Sequence, residues 1–62
     1  MKLHDVVELL VDVPEEGLCA GAIGAIVDEY ADSDACEVEF IDSETRTMAI
    51  LAMRRHCLRL KD

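Results

Sequence analysis

Two periodicities compete along the first half of the chain. Leu3, Val6, Val7, Leu10 and Val11 fall at helical i, i+3, i+4 spacing, as do Leu18, Ala22, Ile23, Ile26, Val27 and Tyr30. Residue types and punctuation oppose helices. Val6, Val7, Val11 and Val13 are β-branched and lose rotamer freedom in a helix. Gly17, Gly21 and Gly24 would each cost a helix interior about 1 kcal/mol. Pro14 closes off any continuation from the first segment.

Strands need fewer exceptions. The first is expected over about 5–11, with Val7, Leu9 and Val11 towards the core and Glu8 outward. Residues 12–21 form a long, turn-rich loop. A second strand follows over about 22–30, in which Gly24 marks a bulge or a close backbone approach. Residues 31–34, Ala-Asp-Ser-Asp, make a polar turn. Segment 36–41 alternates most cleanly, with Cys36, Val38 and Phe40 inward and Glu37 and Glu39 outward. Asp42-Ser43-Glu44-Thr45 is hairpin-sized. A fourth strand is expected over about 46–53, then a 3₁₀ turn at His56-Cys57-Leu58 and a short last strand at Arg59-Leu60. Segment 46–58 also admits a helix, since Met48, Ala49, Ala52 and Met53 suit one. The predicted class is all-β: a small five-stranded SH3-like barrel, with a long first loop and a late 3₁₀ turn, filling 1–62 as one domain. Closing a sheet on itself manages edge strands in a chain too short to cover them.

Length supports one domain and little more. Sixty-two residues bury only about 60% of the surface the unfolded chain exposes. An apolar fraction of 52% and well-spread charge exclude a disordered tail. Apolar runs fall short of the ~20 residues of a membrane span, and Glu8 and Asp12 interrupt the first. Met1-Lys2 opens no signal-peptide pattern, which predicts a cytoplasmic protein without membrane association. Cys19, Cys36 and Cys57 are odd in number and widely spaced, so no disulfide framework is expected; Cys36 reads as a small buried apolar residue.

Charge changes the functional picture. The net charge is −8, and residues 5–44 hold thirteen carboxylates with no Lys or Arg. Arg46, Arg54, Arg55, Arg59 and Lys61 cluster after them. Phosphate backbones attract clustered cations, so nucleic acid is a disfavoured partner and a basic protein the natural electrostatic match.

Four stretches then carry a resemblance: Asp5-Val6-Val7-Glu8-Leu9-Leu10, Pro14-Glu15-Glu16-Gly17-Leu18, Gly21-Ala22-Ile23-Gly24-Ala25-Ile26-Val27 and Glu37-Val38-Glu39-Phe40. In this order the chain resembles a family of small bacterial proteins, domain of unknown function 4926. The resemblance implies an SH3-like barrel and brings no catalytic residues. The Gly-x-x-Gly-x-Ile-Val piece also looks like a KOW element of ribosomal and transcription-elongation barrels. Those meet RNA or protein through basic loops, whereas Glu15, Glu16, Asp28 and Glu29 surround the piece here.

Other constellations fail on spacing. Gly21 and Gly24 lack the following helix N-terminus and lysine of a phosphate cradle. A calcium loop starting at Asp32 would place Cys36, Glu37 and Ser43 where an oxygen ligand, Gly and Glu are required. His4, Cys19, Cys36, His56 and Cys57 lack the paired spacing of a zinc site. A Cys–His nucleophile would need an activated thiolate, and carboxylates surround Cys19. Neither enzyme activity, nor a metal, nor a cofactor is expected.

Segment 48–53, Met-Ala-Ile-Leu-Ala-Met, is apolar on both faces of a strand, and Val6-Val7 and Leu9-Leu10 behave likewise. Strands apolar on both sides point to an interface. The function expected is therefore a non-enzymatic, acidic protein-interaction module. Leu10, Met48, Ile50 and Ala52 supply burial, while Glu15, Glu16, Asp28, Glu29, Glu37 and Glu39 steer a basic protein partner. One alternative is a self-associating homodimer of structural role. Another is a nucleic-acid-binding barrel using Arg46, Arg54, Arg55, Arg59 and Lys61.

Overall fold

The computed structural model describes residues 1–31 and 33–61, so the Asp32 reading lies outside the described residues. Five strands form one antiparallel sheet: β1 (Val6–Leu9), β2 (Ile23–Glu29), β3 (Ala35–Ile41), β4 (Thr47–Arg54) and β5 (Leu58–Leu60). The order across the sheet is β4-β3-β2-β1-β5. The chain is all-β, with 3₁₀ turns at Pro14–Glu16 and Arg55–Cys57. The first lies in the long first loop and was not foreseen; the second sits one residue before its expected place. The strands meander from β2 to β4, and the late turn carries the chain back to β5 beside β1. β4 and β5 remain the two edges, so hydrogen bonding does not close the sheet among the described residues.

Side-chain alternation builds the core. Val7, Leu9, Ile26, Cys36, Val38 and Phe40 are fully buried, joined by Leu18, Met53 and Leu58. Fully burying one such aliphatic or aromatic side chain is worth about 1.5–3 kcal/mol. β3 alternates along its whole length, as expected. Segment 46–58 is resolved in favour of a strand: β4 pairs with β3 from Ala35↔Arg54 to Phe40↔Ala49, placing Ala49, Leu51 and Met53 inward. The helical alternative is thereby excluded.

β1 is shorter than expected. Gly21 donates its N–H to the Leu9 carbonyl at 2.7 Å, and Leu10 donates to the Cys57 carbonyl at 2.8 Å. The chain then bends away, leaving Val11 42% exposed rather than in the core. The loop's own apolar contribution is Leu18, held by a bridge in which Val13 and Leu18 exchange N–H···O bonds of 2.9 and 3.1 Å. Gly17, at φ +70, makes the left-handed step that ends the 3₁₀ turn and aims Leu18 inward.

Gly24 fulfils the close-approach reading rather than the bulge. It faces Phe40 across the β2–β3 ladder, and a Cβ there would lie 2.8 Å from the Glu39 carbonyl oxygen. The bulge lies further along, where the register shifts between Ile26 and Asp28. Val27 is the extra residue. Its insertion turns Asp28, not Val27, to the row of Glu37.

Polar contacts tie the ends of the sheet. Asp42 accepts backbone N–H bonds from Glu44 at 2.8 Å and Arg46 at 3.0 Å, holding the β3–β4 turn. These donors hold the Asp42 carboxyl below the usual range. Arg59 donates to Glu8 at 2.6 Å across the β1–β5 pair, and that hydrogen bond lowers the Glu8 carboxyl likewise. A carboxylate whose folded value is depressed stabilises above its unfolded value and loses that contribution as pH falls through the folded one. Urea unfolding of the wild type is therefore expected to weaken on acidification through and below the ordinary carboxylate range. The Glu8→Gln, Asp42→Asn double variant is expected to show a flatter acid limb. Equal acid slopes would show that other carboxylates control it.

Candidate interaction face

The outward side chains of β2, β3 and β4 form two rows fixed by register. One row runs Ala25–Glu39–Ile50, and the next Asp28–Glu37–Ala52. The sheet therefore brings Asp28, Glu37, Glu39, Ile50 and Ala52 onto one face, with Met48 at its margin beside the register shift near Ile41. Met48, Ile50 and Ala52 are all exposed, Ile50 at 56%. Of the strip expected from Leu10, Met48, Ile50 and Ala52, the last three lie together on β4, and acidic side chains line them along β3.

The remaining candidate residues lie elsewhere. Leu10 is exposed just after β1, with β2 and β3 between it and β4, so the topology does not join it to the strip. Glu15 and Glu16 occupy the first 3₁₀ turn. Glu29 stands opposite Cys36 and reaches Arg55 at 3.9 Å. It belongs to a contact that ties the second 3₁₀ turn to the β2–β3 loop. Arg55 also approaches Asp34 at 3.8 Å and donates to the Ser33 carbonyl at 3.1 Å.

Electrostatics separate the face from the rest of the surface. Arg46 pairs with Asp42 and Glu44, Arg55 with Glu29 and Asp34, and Arg59 with Glu8. Asp28, Glu37 and Glu39 form no ion pair among the described residues. Asp28 and Glu37 are nonetheless cross-strand neighbours, a placement that brings like charges together and costs stability. Each β3 carboxylate is instead held by a neutral donor. The Tyr30 hydroxyl donates to Glu37, and the Thr47 hydroxyl donates to Glu39. A hydroxyl orients a carboxylate without cancelling its charge. The same bond, reinforced by the charges of Glu37 and Asp28, raises the Tyr30 hydroxyl above its ordinary value, so Tyr30 remains a donor.

Tyr30 and Thr47 were not singled out from the sequence. The signal available was the hairpin itself, since pairing 29 with 36 and 41 with 47 sets both hydroxyls near β3.

Nothing in this arrangement resembles an acid–base or nucleophilic pair. Asp28 is exposed and Glu37 and Glu39 are half-buried on an open sheet face, and burial raises the Cys36 thiol so that it stays protonated. The Cys36 expectation of a buried apolar residue holds. Among the described residues no group of three His, Cys, Asp or Glu side chains is placed to hold a metal ion. Among the described residues no helix is long and apolar enough to cross a membrane.

The model of the family described as domain of unknown function (DUF4926) matches residues 3–60. The chain belongs to this family. Membership spans all five strands, and the resemblance carried by residues 5–10, 14–18, 21–27 and 37–40 stands. No curated protein and no solved structure matches the chain. The family's description assigns no chemistry to Asp28, Glu37 or Glu39.

Proposed function

We propose that this chain is a non-enzymatic protein-interaction module whose acidic outer face binds a basic protein. The observation that carries the proposal is the trio Asp28, Glu37 and Glu39. It is oriented, unpaired with any cation among the described residues, and set against exposed Met48, Ile50 and Ala52. Placing Asp28 opposite Glu37 costs the sheet stability, and a cation-bearing partner relieves that cost. Apolar side chains beside fixed charges combine burial with selectivity. Suitable partners are a toxin or nuclease held inactive, or a larger enzyme of which this chain is an accessory subunit. Three free cysteines, one of them buried, suit the reducing cytoplasm, where we place the protein.

Charge reversal tests the proposal. Glu37→Lys with Glu39→Lys is expected to weaken partner affinity at least about tenfold and to flatten its salt dependence, as loss of steering charges does. Both carboxylates are outward, so the variant should keep a cooperative unfolding transition. Unchanged affinity and salt slope in a folded variant would remove the electrostatic half of the proposal.

Self-association is the second reading, favoured by β4 lying at a sheet edge. It predicts a dimer in light scattering at high micromolar concentration. Nucleic-acid binding is supported less, because Arg46, Arg55 and Arg59 are already paired with carboxylates.

A further inference from the structure

The two edges of the sheet differ. β5 is three residues long, carries Arg59 and is followed by Lys61. Shortness and charge protect such an edge from pairing. β4 has neither safeguard over most of its length. It runs for eight residues, Thr47–Arg54, pairs with β3 on one side and hydrogen-bonds no other strand among the described residues. It contains no Pro, Gly or Lys, and its single charge, Arg54, stands at its end. One register shift beside Met48 is its only irregularity against β3. A row of unpaired backbone N–H and C=O groups on a long, uncharged edge is a template for another strand.

We infer that β4 receives an extended, basic segment of the partner as a sixth strand of the sheet. The inference rests on the interaction role proposed above and specifies how the partner engages. Backbone hydrogen bonds along β4 supply sequence-independent affinity. Selectivity comes from the rows that β4 continues. A residue opposite Ala52 stands two strand spacings, about 9.5 Å, from Glu37. Ala52 offers only a methyl group between them, so a Lys or Arg at that place leans across it to the Glu37 carboxylate. At the neighbouring outward place, opposite Ile50, the aliphatic stem of a Lys or Arg packs on Ile50 and its charge faces Glu39 beyond. The segment recognised thus carries Lys or Arg at alternate positions. A second copy of the chain fits this edge less well. Each copy carries −8, and the strand it would offer is β4 itself, whose one cation lies at the terminus.

Residue-resolved NMR titration with synthetic peptides tests this. The probe is the heptapeptide Lys-Val-Lys-Val-Lys-Val-Lys; the controls are its Glu-for-Lys counterpart and a backbone N-methylated form with the same charges. The basic peptide is expected to shift the amide signals of β4 most, the N-methylated form to lose the effect, and the acidic form to have none. Glu37→Gln with Glu39→Gln should weaken peptide binding about three- to tenfold, the range for two exposed charge contacts. Shifts spread over the acidic surface and equal for both basic peptides would overturn the edge while leaving an acidic binding face. Absence of any shift, in a chain that still holds a basic protein in a salt-dependent way, would overturn the edge alone. Shifts of β4 that grow with chain concentration and block the peptide would overturn it in favour of self-pairing.

Discussion

Gly24→Ala is expected to destabilise the fold by about 2 kcal/mol, although alanine is ordinarily the better strand residue by about 0.5–1 kcal/mol. The sign is set by space. A Cβ at Gly24 would lie 2.8 Å from the Glu39 carbonyl oxygen, 2.8 Å from Val38 Cγ1 and 3.0 Å from Phe40 Cδ1. The first of these atoms is backbone in the β2–β3 ladder and cannot swing aside. Relief requires β2 and β3 to separate, which would loosen the hydrogen bonds beside Phe40 and the row that holds Glu39. Urea unfolding of the two proteins measures the effect, and Gly24→Val should be worse. An alanine variant as stable as the wild type would mean that the strands part at no cost.

Phe40→Ala is expected to cost about 3–5 kcal/mol. Phe40 is the largest fully buried side chain, and it lies near the end of β3 against Gly24 on one side and Ala49 on the other. Both cross-strand neighbours are small, so the ring fills the volume they leave, and neither can expand into a cavity. A domain of this length seldom has more than about 3–5 kcal/mol in total. The variant should therefore lose its cooperative transition, read by circular dichroism at 25 °C. A folded variant less than about 1 kcal/mol weaker would place the core elsewhere.

The same physics explains what could be read in advance. β3 is flanked by strands on both sides and separates a dry face from a charged one, so Cys36, Val38 and Phe40 alternate visibly with Glu37 and Glu39. β4 hid its strand character because its outer face is itself apolar. With Met48, Ile50 and Ala52 outward, alternation disappears and helix formers remain. The ambiguity over 46–58 thus had the same origin as the candidate interaction surface. Val11 misled because the end of β1 is decided by hydrogen bonds from Leu10 to Cys57 and from Gly21 to Leu9, across 47 and 12 positions of the chain. Leu18 was read as part of a turn-rich loop rather than as core, because only the Val13–Leu18 bridge turns it inward. The acidic face was legible as composition. Which carboxylates remain uncancelled was not, because that depends on where Arg46, Arg55 and Arg59 fold back to find partners.

The most direct test of the interaction role is affinity capture from host lysate with the tagged wild-type chain and the Glu37→Lys, Glu39→Lys variant side by side. Each would be washed at low and at high salt, with protein and nucleic acid quantified in the eluate. The proposal predicts a basic protein in stoichiometric amount on the wild type, released at high salt and missing from the variant. The same proteins on both chains, nucleic acid in place of protein, or the chain recovered alone would contradict it.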